Sequence, residues 1–429
     1  MTRTEISKGV HLNYIESKKL KTNYLSVSFV LPLESELNHL TALVPKVLLR
    51  GSVKYPDMTK ISEKLEYLYG SSLAPVYVKC AQSLIVGFAI DFIKDEYIND
   101  GTDLLKEATD LLHEIIFKPL VSDGKFSDEY VEGEKTDLIN AIKSLINNKA
   151  AYAKEKCTEI MFKGHPYGSS EIGTVEEAKL ATSKQVYDRY QKIIKSYPVE
   201  ISFCGECDFD KLTEIFKNII PASDARREDF PTREFLSESA DEITEVTESM
   251  PVAQGKLVMG FRMDGINVSS EEDAAFRVFN ELFGSSPSSK LFMNVREAMS
   301  LCYYCKSIPD MFMSVMFITS GIENENRDKA VDAILMQLEN VKNGDFDVPE
   351  IEDAKRGLIN AYKEMDDNSA ALCNWYLSRV IVNKSDTPES AVERIKAVTK
   401  EEIVNVSRRV SLDTVFFIKG TGTNGGGEE

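Results

Sequence analysis

The most constraining feature of the sequence is an internal repeat, in which one 22-residue segment is matched without a gap by another that lies 220 positions later. Residues 123–144 and 343–364 are identical at nine of 22 positions, including Leu138-Ile-Asn-Ala141 against Leu358-Ile-Asn-Ala361. The apolar residues of both segments recur at helical spacing. Because 429 residues also exceed what one hydrophobic core usually serves, the repeat predicts two domains of the same construction.

A second similarity, near the end of each half, supports the duplication. A predicted helix start at 181–186 precedes an apolar strand at 199–205, and a similar start at 398–403 precedes a strand at 414–420. Each half also opens with a strand that leads into a helix and continues with paired strands. We therefore predict an α+β protein with two tandem homologous α/β-sandwich domains, each an antiparallel-rich sheet with helices packed on it.

The predicted domain boundaries follow composition. The region around residues 221–250 is polar and acidic and contains two prolines, which is typical of a linker. We place the first domain at 1–225, an acidic linker at 226–248 and the second domain at 249–429. The Gly-rich tail from residue 420 onward is predicted to be disordered, because glycine loses much entropy on ordering.

Composition and charge exclude several classes of function. The chain has 69 acidic and 51 basic residues, a formal charge of −18, which argues against nucleic-acid binding. The first ten residues lack the apolar core of a signal peptide, and no stretch approaches the roughly 20 apolar residues of a membrane span. We predict a soluble cytoplasmic protein whose seven cysteines are reduced thiols.

Two cysteine pairs have the spacing of metal ligands, Cys204 with Cys207 and Cys302 with Cys305. The pairs begin 98 positions apart (302 − 204), farther than the two halves of a four-thiolate zinc site usually lie. Cys204 also ends an apolar strand, where a thiol commonly serves as a small hydrophobic side chain. Structural thiols are the favoured interpretation, and a zinc site is the alternative.

The best candidate for contacting a ligand is the stretch 283–304, in which a Ser-rich loop leads into a predicted helix. Arg296 near the end of this helix and Tyr303 just after it present a guanidinium and a phenol, two donors suited to a peptide carbonyl or a carboxylate. The loop does not match a phosphate-binding loop, because Ser289 and not glycine precedes Lys290. The alternative is that Arg296 pairs with a surface carboxylate and Tyr303 belongs to the core.

The order of elements and four short motifs together resemble the pitrilysin family of zinc peptidases, which includes mitochondrial processing peptidase. The resemblance covers nearly the whole chain, and it implies two homologous domains that form half of a clamshell. The motifs are Leu48-Leu-Arg-Gly-Ser52, the turn and strand at 67–74, Met161-Phe-Lys-Gly-His-Pro-Tyr-Gly168, and Arg296-Glu-Ala-Met-Ser-Leu-Cys-Tyr303.

The zinc chemistry of that family requires His-x-x-Glu-His on the first helix, where two imidazoles hold the ion and the glutamate activates its water. Counted back from Gly51, these three places are occupied by Ala42, Pro45 and Lys46. The third family ligand, a glutamate on a later helix, falls on Ala141. The resemblance therefore implies a member without a metal or catalytic residue of its own, with zinc expected only on an active partner.

The leading hypothesis from this resemblance is a catalytically inactive subunit of a heterodimeric zinc metalloendopeptidase. It would bind a peptide or an unfolded segment and supply Arg296 and Tyr303 to the zinc site of the partner. Tyr304 could take the role of Tyr303 if the helix ends one residue early. The alternatives are a homodimeric peptide-binding or scaffold protein without a proteolytic role, and a lone hydrolase with unconventional ligands.

Overall fold

The computed structural model describes residues 1–217, 219–231, 235–236, 240 and 242–422. The chain divides into two compact units, each assembled from three segments. The first unit comprises Met1–Lys143, Ser169–Arg233 and Glu364–Ser385, and the second comprises Ser144–Gly168, Glu234–Lys363 and Asp386–Glu429.

The strands and helices of the described residues are as follows. The strands are β1 (Thr2–Ser7), β2 (Val10–Glu16), β3 (Thr22–Pro32), β4 (Ser72–Cys80), β5 (Ser83–Ile93), β6 (Val121–Ser122), β7 (Lys125–Phe126), β8 (Val199–Gly205), β9 (Thr244–Met250), β10 (Gly255–Arg262), β11 (Cys302–Asp310), β12 (Val315–Ile322) and β13 (Ser411–Gly420). The helices are α1 (Asn38–Leu48), α2 (Met58–Tyr67), α3 (Leu104–Phe117), α4 (Asp128–Leu145), α5 (Lys149–Met161), α6 (Val175–Leu180), α7 (Ser183–Ser196), α8 (Phe209–Lys217), α9 (Asp273–Asn280), α10 (Arg327–Lys342), α11 (Val348–Met365), α12 (Ser369–Ile381), α13 (Pro388–Ala397) and α14 (Lys400–Arg408). Two further segments, Glu281–Ser285 and Leu291–Ala298, are π-helical.

The two units contain sheets of the same topology. The sheet of the first unit has the order β1-β2-β8-β3-β5-β4, and that of the second has the order β9-β13-β10-β12-β11. In each sheet one pair is parallel, β2 with β8 and β9 with β13, and the remaining pairs are antiparallel. The strands β2, β8, β3, β5 and β4 of the first sheet therefore correspond one to one to β9, β13, β10, β12 and β11 of the second. The first sheet has β1 as an additional strand at its edge. This confirms the predicted α+β class with two homologous domains.

The repeat in the sequence corresponds to repeated helices. The starts of α4 and α11 are 220 positions apart (348 − 128), and so are those of α5 and α12 (369 − 149). The second predicted similarity is also confirmed. Thr182 caps α7 and Thr399 caps α14, and each shares a reciprocal capping box with the residue three positions later.

Each sheet has helices on both faces, and the helix on one face comes from the other half of the chain. In the first unit α3 and α7 pack on the face that forms the large core, while α12 packs on β8 and β3. In the second unit α5 packs on β10 and β13. Gly260 of β10 permits this approach, because a Cβ there would lie 3.0 Å from the Met161 sulfur. The two halves thus exchange equivalent helices.

The predicted domains, 1–225 and 249–429, do not account for the exchange of α5 and α12 between the two halves of the chain. The last five residues of the segment predicted as a linker, 244–248, belong to β9, whose half-buried Val246 alternates with exposed neighbours. Residues 232–234, 237–239 and 241 of that linker lie outside the described residues, as do residues 423–429 of the tail predicted to be disordered.

None of the helices in the described ranges combines the length and the apolar composition that a membrane crossing requires.

We predict that α12 is a structural part of the first unit. Leu372 of α12 is 8% exposed and packs with Tyr24, Cys204 and Tyr376 in a small core on the sheet face. Leu372→Ala should lower the free energy of unfolding by about 2–4 kcal/mol, because it leaves a cavity. The matched control is Leu180→Ala, which alters a side chain that is 77% exposed. It should change the free energy of unfolding by less than about 0.5 kcal/mol. Urea denaturation measures both, and equal effects would contradict the assignment of α12.

Candidate functional site

The four positions that correspond to the family's zinc motif lie on two helices of the first unit. Ala42, Pro45 and Lys46 are on α1, the first two buried and the lysine partly exposed. Pro45 stands inside the helix, where its missing amide hydrogen leaves the Thr41 carbonyl without the usual helical bond. Ala141 is exposed on α4.

These side chains do not fit a zinc ion. Zinc sites in proteins use thiolate, imidazole or carboxylate ligands, and two methyl groups, a pyrrolidine ring and an ammonium group offer none. Among the residues that the structure describes, no group of three His, Cys, Asp or Glu side chains could hold a metal ion elsewhere. The described residues therefore show no other metal site that could replace these four positions.

A partly buried ion pair joins the end of α1 to α4. Arg50, two residues after α1, donates to Glu134 at 2.5 Å, and the Glu134 side chain is only 11% exposed. Asp137 lies 4.0 Å from the same guanidinium. The two helices that carry the motif positions are thus held together by contacts that need no metal.

The histidine closest to these positions along the chain is His39. It is buried on α1, and burial lowers its pKa below the usual value, with the Glu177 carboxylate opposing part of that shift. The imidazole is therefore neutral at pH 7. Within the part of the chain that the structure describes, His39 belongs to no group of three His, Cys, Asp or Glu side chains that could hold a metal ion.

The structure places Arg296 and Tyr303 on neighbouring elements of the second unit. Arg296 is in the π-helical segment Leu291–Ala298, with its guanidinium 4.5 Å from the Phe292 ring centroid and 3.5 Å from Glu297. Tyr303 is in β11, is 59% exposed, and donates to Glu323 at 2.6 Å. Both groups reach solvent, and their carboxylate neighbours are the exposed Glu297 and the half-buried Glu323.

A β-bulge separates the two adjacent tyrosines. The register of β11 with β12 shifts between Cys302 and Tyr304, so Tyr303 is the additional residue. Ser300, just before the strand, has a positive φ of 52° and turns the chain into β11. Tyr304 is half-buried and lines a groove on the sheet, whereas Tyr303 projects to solvent.

The bulge also brings the two cysteines of this strand together. A hydrogen bond between the thiols lowers the pKa of Cys302 to about 7, with a further contribution from the positive charge of Arg296. In the first unit, Cys204 interacts with Cys373 of α12. All seven cysteines are free thiols.

Comparisons with known proteins identify the family. A family model described as the peptidase M16 inactive domain matches residues 181–358. A curated Bacillus subtilis (strain 168) protein, "Probable inactive metalloprotease YmfF", is 30% identical over 416 residues, which is 96% of each chain. The chain belongs to the peptidase M16 family. With four motif positions lacking metal ligands, this M16 protein is a non-catalytic member.

Solved structures agree with the fold of this M16 protein. A conserved protein from Enterococcus faecalis V583 superposes with a TM-score of 0.91 at 32% identity, over 99% of each chain. A peptidase M16 inactive domain from Pseudomonas fluorescens superposes with a TM-score of 0.79 at 17% identity, over 98% of each chain. The second of these likenesses concerns the fold alone.

Sequence reasoning missed a set of side chains on the sheet of the second unit. Lys256 of β10, and Tyr304 and Lys306 of β11, line the same groove. Tyr304 and Lys306 are two positions apart, the spacing that places strand residues on one face. This spacing is visible in the sequence, but it indicates a site only when the strand that pairs with β11 is known.

We predict that Tyr303 is not needed for folding of this M16 protein. Tyr303→Phe removes an exposed hydrogen bond and should change the free energy of unfolding by less than about 0.5 kcal/mol. The matched control is Tyr190→Phe, because the buried Tyr190 donates to the Ile116 carbonyl at 2.8 Å. Loss of this buried hydrogen bond should lower the free energy of unfolding by about 1–2 kcal/mol. If thermal or urea unfolding shows Tyr303→Phe to be the more damaging change, Tyr303 is a structural residue.

Proposed function

We propose that this chain is the catalytically inactive subunit of a two-chain zinc metalloendopeptidase that acts on peptides or unfolded segments. Its partner would be an M16 homologue that carries the complete His-x-x-Glu-His motif and the zinc ion. The proposal rests on one combination of observations. The second unit presents Arg296 and Tyr303 to solvent, while the four motif positions of the first unit carry none of the family's metal ligands.

The two side chains have the chemistry for binding a peptide backbone. A guanidinium and a phenol both donate hydrogen bonds, and a peptide carbonyl accepts them. Tyr303 would exchange its bond to Glu323 for one to the substrate, at little cost because the present bond is exposed. Two donors directed at one carbonyl would position the peptide and could stabilise negative charge that develops on its oxygen in the reaction of the partner.

The proposed setting is the cytoplasm. All seven cysteines are free thiols and six of them are buried, which is compatible with a reducing compartment. Zinc would be bound only by the partner, and this chain would bring no cofactor.

Co-expression with an M16 homologue that has the His-x-x-Glu-His motif tests the proposal. The pair should form a complex with peptidase activity that neither chain has alone. Arg296→Ala and Tyr303→Phe should lower kcat/KM by roughly tenfold to a hundredfold, because each removes a donor to the substrate. The controls Arg356→Ala and Tyr67→Phe alter exposed residues of the same types and should leave activity unchanged.

The opposite result would favour a different function. If no complex and no activity appear, and the chain forms a homodimer that still binds unfolded peptides, the homodimeric scaffold is correct. If the purified chain cleaves peptides alone and carries stoichiometric metal, it is a hydrolase with unconventional ligands. Activity of the complex that is indifferent to both substitutions would remove Arg296 and Tyr303 from the site.

A further inference from the structure

The second unit contains an open groove with a volume of about 590 Å³ on its sheet. Pockets that bind ligands commonly measure roughly 300–1,000 Å³. The first turns of α5 form one wall, and β10, β11 and β12 form the floor. Four lysines line it: Lys149, Lys154, Lys256 and Lys306.

Among the residues that the structure describes, no ion pair neutralises the positive charge of this groove. None of the residues that line the groove is acidic, although the chain carries 69 Asp and Glu residues. Within the described ranges, no carboxylate lies within 4 Å of any of the four ammonium groups, whereas many other lysines have such a partner. Like charges gathered without counter-charges repel one another, so an anion that enters the groove gains from all four.

Two of these lysines lie near aromatic rings. The Lys154 ammonium lies 5.2 Å from the Phe317 ring centroid, and the Lys256 ammonium lies 5.7 Å from that of Tyr304. Lys256 also donates to the neutral side chain of Gln254. Lys256 is half-buried, and this burial lowers its pKa. A bound anion would oppose that shift, because it stabilises the charged ammonium.

A buried hydroxyl group provides an independent indication of a ligand. Thr319 lies on β12 in the floor of the groove and is only 5% exposed. Its Oγ1 atom has no hydrogen-bond partner among the described residues. Buried hydroxyl groups are nearly always bonded, because an unpaired one costs free energy. A ligand oxygen above the floor would accept a hydrogen bond from this hydroxyl once the Thr319 side chain turns toward the groove.

The shape of the groove suits an extended ligand. A second groove of about 330 Å³ continues along β11, since Lys154 and Ile308 line both. The acidic residue of the second groove, Asp310, already accepts hydrogen bonds from Tyr167 and from the Phe312 amide. The positive end of the α5 dipole lies beside the first groove, because Asn148 caps that helix at its start.

We propose that this lysine groove binds an acidic segment of a peptide, with Lys256, Lys306 and Thr319 contacting its side-chain carboxylates. The inference rests on the proposed function, because it specifies the kind of peptide that the chain would bind. Ammonium groups are point charges that attract any oxyanion. The length of the two connected grooves favours a peptide over a small phosphate.

Fluorescence anisotropy with the full-length chain tests the proposal. The probe is a labelled octapeptide rich in Asp and Glu, and its control is the same peptide with Asn and Gln at those positions. The acidic probe should bind more tightly, and its affinity should fall as NaCl is added. Lys256→Met should weaken binding about tenfold, as expected for the loss of a charge-assisted hydrogen bond, and Lys306→Ala about threefold.

Two further variants separate binding from folding. Lys329→Ala, which removes an exposed lysine of the second unit outside the groove, should leave the affinity unchanged. Thr319→Val keeps the shape of the side chain and removes the unpaired hydroxyl, so it should weaken binding without loss of thermal stability. A purely structural role of Thr319 would not produce that combination.

Several outcomes would overturn the proposal. Equal binding of the acidic and neutral peptides would show that the groove does not select carboxylates. Saturable binding of inorganic phosphate or tripolyphosphate without binding of the acidic peptide would assign the lysines to a different ligand. Full peptide affinity in the Lys256→Met and Lys306→Ala variants, combined with loss of the two-chain activity in Arg296→Ala, would reject the groove and leave the proposed function intact.

Discussion

The central strands of each sheet are buried along their length, β8 and β12 completely, so both faces of each sheet must be covered. The chain meets this requirement with helices that it exchanges between its halves, α12 over β8 and β3 in the first unit and α5 over β10 and β13 in the second. The same helix that closes the second sheet carries Lys149 and Lys154 to the lysine groove. The exchange therefore determines both the stability of the units and the composition of the proposed binding surface.

In the first unit the fold of the family is present although the residues for its zinc chemistry are absent. The helix α1 keeps its buried face although Pro45 interrupts its hydrogen bonding, and the pair of Arg50 with Glu134 joins its end to α4. Only the functional groups of the zinc motif are absent, at Ala42, Pro45, Lys46 and Ala141. Fold and chemistry are thus separable in this M16 protein, since function depends on particular side chains and not on the framework that carries them.

The sequence predicted much of the fold, because the repeat and the capping threonines are local signals that survive in a single chain. The exchange of helices could not be predicted, since a constant offset of 220 shows that α5 and α12 are equivalent but not which sheet each covers. The bulge at Tyr303 could not be predicted either, because a bulge is defined by the pairing of β11 with β12. The lysine groove was missed because its lysines come from α5, β10 and β11, which are distant along the chain.

The claim at the centre of this account is that the M16 framework is intact and that only the ligands for zinc have been lost. It can be tested by metal analysis of the native chain and of a variant with Ala42→His, Pro45→Glu, Lys46→His and Ala141→Glu. The account predicts no zinc in the native chain and about one zinc ion per chain in the rebuilt, folded variant, because its donor set matches a catalytic zinc site. Stoichiometric zinc in the native chain, or none in a rebuilt variant with native circular dichroism, would contradict it.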